Sequence, residues 1–222
     1  MSETHLLRPR AAAPLLATSG LALVVAQGVL PVIPSTVSGQ VQAITAHRGA
    51  EVVSAAAFVL AAALLTWGLL AINARSFGRG RRVARVGLLL SAFGAFWLIG
   101  GRATYNLFEV AITGSQPLSV AVSVTQSVTD SGAFAVLLIS LVAFVVGPVV
   151  LGIGLWRAGV SAWWPPAAWL LGAVVVESTE ASLRWGPAIG MLGLAAALIA
   201  WGRAVAASDR DGSVELDQMS RV

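Results

Sequence analysis

Five acidic residues border or interrupt apolar stretches of this chain: Glu51, Glu109, Asp130, Glu177 and Glu180. Arg48, Arg102, Arg184, His47, Tyr105 and Asn106 fall in the same regions. Carboxyl groups can give and take protons, and arginine can pair with them. A charge at membrane depth is costly, so such groups usually face the protein interior beside a partner. Spacing groups them on helix faces. Arg102, Asn106 and Glu109 fall at i, i+4 and i+7, on one face, with Tyr105 beside it. His47 and Glu51 are four apart, and Glu177 and Glu180 are three apart. Glu177 follows Ala173-Val174-Val175-Val176. It lies about fourteen residues past Trp163, a helical rise of about 21 Å. At that depth it is expected to be buried, and so either neutral or paired with Arg102 or Arg184.

The elements that must position these residues are transmembrane helices. Only 11% of the 222 residues are charged and 57% are hydrophobic, against about a quarter charged in a soluble domain. A span needs about 20 apolar residues. Six stretches qualify, and the chain reads as an all-α, polytopic six-helix bundle in the cell membrane. The spans run from Ala11 to about Ile33, Ala50 to Ile72, Val86 to about Glu109, Ser131 to Trp156, Trp163 to about Ser182, and Trp185 to Gly202. Residues 1–207 form the transmembrane domain. Residues 208–222 form a charged tail expected to be disordered and cytoplasmic. The connections at 34–49, 73–85 and 112–129 are polar.

All fourteen basic residues are arginine. With the N-terminus inside, eleven face the cytoplasm: Arg8, Arg10, Arg75, Arg79, Arg81, Arg82, Arg85, Arg157, Arg203, Arg210 and Arg221. Arg48, Arg102 and Arg184 face outward. The positive-inside rule therefore puts both termini in the cytoplasm and the ionisable cluster at the outer ends of the helices. This placement accounts for the net charge of +4 without nucleic acid as a partner. The run at 75–85 either enforces topology or binds anionic lipid headgroups. A cleaved signal peptide is disfavoured, because the first apolar stretch exceeds the usual 7–15 residues.

Several chemistries are excluded. With no cysteine there are no disulfides, thiolate metal sites or dithiol redox reactions. Two histidines, His5 and His47, are too few for bis-histidine haem or a histidine-rich metal site, so no metal or cofactor is expected. The phosphate-binding loop, the zinc-protease helix and the serine-hydrolase elbow are all missing.

Structural roles compete at each position. Asp130, before an apolar run, fits a helix N-cap. Glu51 suits a helix N-terminus, and Arg184 suits the interface. Arg102 and Glu109 could form an ion pair through Asn106. Trp156, Trp163, Trp164, Trp169 and Trp185 lie near expected boundaries, as interfacial anchors do. Trp67 and Trp97 lie deeper and could line a cavity or simply pack. Pro165 and Pro166 fit a first helical turn, and Pro148 should kink the fourth helix. Gly186 and Gly190 form a small-xxx-small pair.

Three stretches carry a resemblance: Ala46-His47-Arg48-Gly49-Ala50-Glu51, Arg102-Ala103-Thr104-Tyr105-Asn106-Leu107-Phe108-Glu109, and Leu155-Trp156-Arg157-Ala158-Gly159-Val160. Together they resemble small six-helix membrane proteins of actinobacteria, mostly uncharacterised, over nearly the whole chain. In size and architecture the chain is also similar to bacterial membrane-bound terpene cyclases acting on prenylated indole compounds. That likeness implies cyclisation started by protonating an alkene or epoxide of a lipophilic isoprenoid. No motif of those enzymes is carried over residue by residue.

The leading reading is such an acid-initiated cyclase or isomerase. Glu177, Glu109, Arg102 and Tyr105 are its catalytic candidates. Trp97, Trp185, Asn106, Glu180, Glu51 and His47 are its substrate contacts. An apolar site can keep a carboxylic acid protonated, aromatic faces stabilise a cation, and a bundle excludes water. The alternative is a non-enzymatic accessory or sensor protein that binds a small ligand or lipid headgroup. A transporter is a third reading, weakened by the lack of a repeat. Membrane lipids and a lipophilic small molecule are the expected partners.

Overall fold

The computed structural model describes residues 9–73 and 78–219, with backbone alone at residues 100, 133, 134 and 210–219. The expectations for His5, Arg8, Arg75 and Arg221 lie outside the described residues. Every regular element among the described residues is helical. A 3₁₀ turn at Pro9–Ala11 leads into α1 (Ala12–Gly28). Then come α2 (Val37–Ala46), α3 (Arg48–Asn73) and α4 (Arg81–Phe96). A π-helical segment at Trp97–Ala103 joins α4 to α5 (Thr104–Ser115). The remaining helices are α6 (Leu118–Thr129), α7 (Gly132–Arg157), α8 (Trp164–Thr179) and α9 (Gly186–Met219).

Five segments are long and apolar enough to cross a membrane, as a multi-pass membrane protein requires: Pro9–Gly28, Arg48–Asn73, Arg81–Ser115, Ala135–Arg157 and Gly186–Asp209. The stretch expected to supply one more span folds as α8. It has 16 residues, about 24 Å, against a hydrocarbon core of about 30 Å. Pro165 and Pro166 occupy its first turn, where missing N–H groups cost nothing. It stops at Thr179 rather than Ser182, because the backbone turns there. The N–H groups of Ser182 and Leu183 both donate to the Thr179 carbonyl at 3.0 Å.

α1, α3, α4, α7, α8 and α9 pack side by side in a closed ring, α9 returning to α1. Successive members run antiparallel, so residues 29–47, 112–131 and 180–185 share one end. There α2 and α6 pack on each other and on α5, capping that end. Both fold from stretches that read as polar connections. Thr36 starts α2 as its N-cap, its hydroxyl accepting from Gly39 N–H at 3.2 Å.

Close backbone approach holds the ring together. Gly87 and Gly94 of α4 meet the backbone of Leu151 and Phe144 of α7. In return, a Cβ at Gly147 would lie 2.5 Å from Ser91 N, and one at Gly154 would meet the Ala84 backbone. Both pairs are seven residues apart, which keeps them on one helix face. Contacts this close need residues without a side chain. Gly190 similarly rests on Gly172 and Val176 of α8, while Gly186 abuts Thr179. Between α1 and α3, the buried Ser19 hydroxyl donates to Ala61 O at 2.8 Å.

Three local expectations are corrected. Asp130 is not the N-cap of α7, a position held by Ser131. It closes α6 instead, and its carboxylate accepts from Gln126 Nε2 at 2.9 and 3.0 Å. Trp169 is no boundary anchor: it is fully buried between Phe144 and Trp201, with ring centroids 5.2 and 6.1 Å away. Trp67 faces off the bundle, 52% exposed. Trp156, Trp163, Trp164 and Trp185 are exposed, as interfacial residues must be. Past residue 208, α9 continues through the tail to Met219, and Asp209 pairs with Arg10 at 3.3 Å.

Candidate functional site

The segment Arg81–Ser115 is one helical run of 35 residues, about 50 Å long and well beyond a bilayer core. Its π-helical turn carries Arg102. A π turn takes in more residues than an α turn and so rotates everything beyond it. The Thr104 hydroxyl donates five residues back, to Ile99 O at 2.7 Å. Gly101 lets the Trp97 indole fold against the helix, because a Cβ there would collide with the ring. The turn thus aims Arg102 and α5 at the capped end of the ring.

Two chambers meet at that end. The upper one encloses about 240 Å³. Its walls carry Glu51 from α3; Tyr105, Asn106 and Glu109 from α5; and Arg102 from the π turn. Glu177, in the last turn of α8, and Glu180, just beyond it, complete the ionisable set. Ile33, Pro34 and Ile44 form the apolar part of the wall. The lower chamber encloses about 220 Å³ and is mainly apolar, with Phe58, Trp97, Phe144 and Met191 among its walls. Arg102, Glu177 and Glu180 line both.

Arg102 forms an ion pair with Glu180, and its guanidinium lies 5.9 Å above the Phe58 ring. Its partner is therefore at the end of α8, not Glu109 in its own helical run. Asn106, considered above as a bridge to Glu109, donates instead across to Ser54 Oγ of α3 at 3.4 Å. Glu51 and Glu109 are 2% and 4% exposed. One oxygen of each has no hydrogen-bond partner among the described residues. The Tyr105 hydroxyl sits beside Glu109 and Thr129. Glu177 lies in the last turn of α8 and is exposed, and it lines both chambers.

Eight of the ten sequence-chosen residues line one or both chambers: Glu51, Trp97, Arg102, Tyr105, Asn106, Glu109, Glu177 and Glu180. His47 and Trp185 do not. His47 is exposed and its Nδ1 contacts Ala43 O of the preceding helix at 3.0 Å. Trp185 is 56% exposed, beneath the Arg184 guanidinium at 5.1 Å. The sequence reading missed Gln27, Phe58 and Phe144 of the lower chamber. Phe58 had a signal, seven residues after Glu51 on the same face. Gln27 was also visible as a lone amide in an apolar helix. Phe144 had none. Arg48 is structural: it donates to the Thr113 carbonyl near the end of α5, where a cation is favoured.

Among the described residues, no group of three or more His, Asp or Glu is placed to hold a metal ion. The upper chamber offers carboxylates as acceptors and Arg102 as donor, and the lower offers aromatic and aliphatic surface. Together they suit an amphiphilic molecule. Comparison with known proteins gives no match to a family model, a curated sequence or a solved structure.

Proposed function

We propose that this is a six-crossing membrane protein with both termini in the cytoplasm, and that its outer cleft binds an amphiphilic small molecule. The arginine asymmetry supports the orientation. The place of α8 in the ring, antiparallel to α7 and α9, supports counting it as a crossing. Its short length is met by local bilayer thinning. The binding reading rests on one observation: the polar and apolar chambers meet at Arg102, Glu177 and Glu180. The apolar part of a ligand would enter the lower chamber and its head would occupy the upper one. Binding of this kind fits an accessory or sensor role and needs no turnover.

Photolabelling tests it. A diazirine-bearing decyl alcohol, added to protein in lipid nanodiscs, should label Phe58, Trp97 and Phe144. Ala173→Phe places a ring in the lower chamber, which Ala173 lines, and should abolish that labelling. Labelling confined to lipid-facing residues such as Leu89 and Ile139, both largely exposed, would refute the reading.

A second reading, acid-initiated cyclisation or isomerisation of an isoprenoid-like molecule, is favoured by a specific feature. The Glu177 carboxyl borders a chamber with the aromatic faces of Phe58, Trp97 and Phe144, which suit a carbocation. The acid would protonate an alkene, and the cation would later return a proton, giving an isomer of unchanged mass. Isoprenoid extracts incubated with the protein should then yield new isomers, and Glu177→Gln should yield none. If the wild-type protein produces no isomer, this second reading falls and the binding reading stands.

A further inference from the structure

We infer that the head of the bound molecule is an organic cation, a primary ammonium group carried on an apolar body and held by Glu51 and Glu109. This deepens the binding reading above and rests on it.

The inference begins with the charges of the upper chamber. Glu51, Glu109, Glu177 and Glu180 line it with a single guanidinium, that of Arg102. Arg102 is taken by Glu180, so three carboxyl groups have no ion-pair partner among the described residues. Of the other arginines nearby, Arg48 donates to Thr113 O and Arg184 lies over Trp185.

Burial adds a second, independent observation. Glu51 and Glu109 come from different helices, line the chamber, and are almost wholly removed from solvent. Each keeps a buried oxygen with no donor. Buried acceptors without donors are costly, and an unpaired buried charge costs more. A ligand that brings both N–H donors and a positive charge removes both penalties. A primary ammonium group has three donors and makes charge-assisted hydrogen bonds to carboxylates. An anionic head would face three carboxyls with no free counter-charge. A metal ion lacks a converging set of three ligands among the described residues.

The test uses three probes of equal chain length: decylammonium, decan-1-ol and decanoate, below their micellar concentrations. Each competes with the diazirine label in phosphatidylcholine nanodiscs, with empty nanodiscs as the partition control. Decylammonium should compete at least about tenfold better than decanol, an increment one charge-assisted hydrogen bond can supply. Decanoate should compete least. Glu109→Gln and, on another helix, Glu51→Gln should each reduce the ratio of ammonium to decanol competition. Asp130→Asn, whose carboxylate bonds Gln126 outside the chamber, should change nothing. Equal competition by decanol and decylammonium would overturn the cationic head and leave the binding reading intact. If no probe displaces the label, or the label never enters the lower chamber, both fall.

Discussion

The contact between Arg102 and Glu180 permits a quantitative test. The two side chains are 23% and 26% exposed, between a surface pair and a buried one. Exposed pairs contribute about 0.2–1 kcal/mol, and removing one partner of a buried pair costs about 3–5 kcal/mol. Discounted for solvent screening, Arg102→Ala should cost about 2 kcal/mol. That figure includes about 0.5 kcal/mol from the guanidinium above Phe58. Glu180→Ala should cost less, about 1 kcal/mol, because Arg102 keeps Glu177 and Glu51 in the same chamber. The reverse does not hold, since loss of Arg102 leaves four carboxyls without a cation. A double-mutant cycle in detergent should give a coupling of about 1 kcal/mol, and Arg102→Ala should lower Tm by about 5 °C for a chain of this size. Arg79, at the other end of the bundle, is exposed, and Arg79→Ala should fall within about 0.5 kcal/mol of wild type. Equal small effects of the two arginine substitutions would refute the reasoning, because Arg102 would then merely snorkel to the interface.

Other measurements reach different parts of the structure. Gly94→Ala should destabilise by about 1–3 kcal/mol, as overpacking does, because its Cβ would meet the Phe144 backbone. Gly49→Ala, with nothing within 4 Å of the new Cβ, should be neutral or stabilising by up to about 1 kcal/mol. Thermal unfolding of both variants checks the α4–α7 contact, and equal effects would disprove it. Reporter fusions at Gly80 and Gly114 should give cytoplasmic and external signals respectively; the opposite pattern would overturn the topology. Glu177→Gln should leave Tm within about 2 °C of wild type, because the side chain is exposed and has no ion pair among the described residues. A larger drop would show that Glu177 belongs to a structural network.

Composition and periodicity determined much about this protein. An 11% charged content with long apolar runs requires helices that satisfy their own backbone, and five such segments are present. The i, i+4, i+7 spacing of Arg102, Asn106 and Glu109 identified a face that does line a chamber. Local geometry binds residues that close in sequence, so it was legible there. What tertiary structure decided lies between elements. The choice of Glu180 as partner for Arg102 depends on where α8 ends relative to the π turn, and no spacing within one helix encodes that. The burial of Trp169 against Phe144 and Trp201 depends on which helices are neighbours in the ring. The glycines of α4 and α7 are visible as residues, but their role follows only once two backbones touch. Glu177 shows both sides of this limit. Its place near the end of a helix could be counted along the chain, but its position at the junction of two chambers depends on which elements meet there.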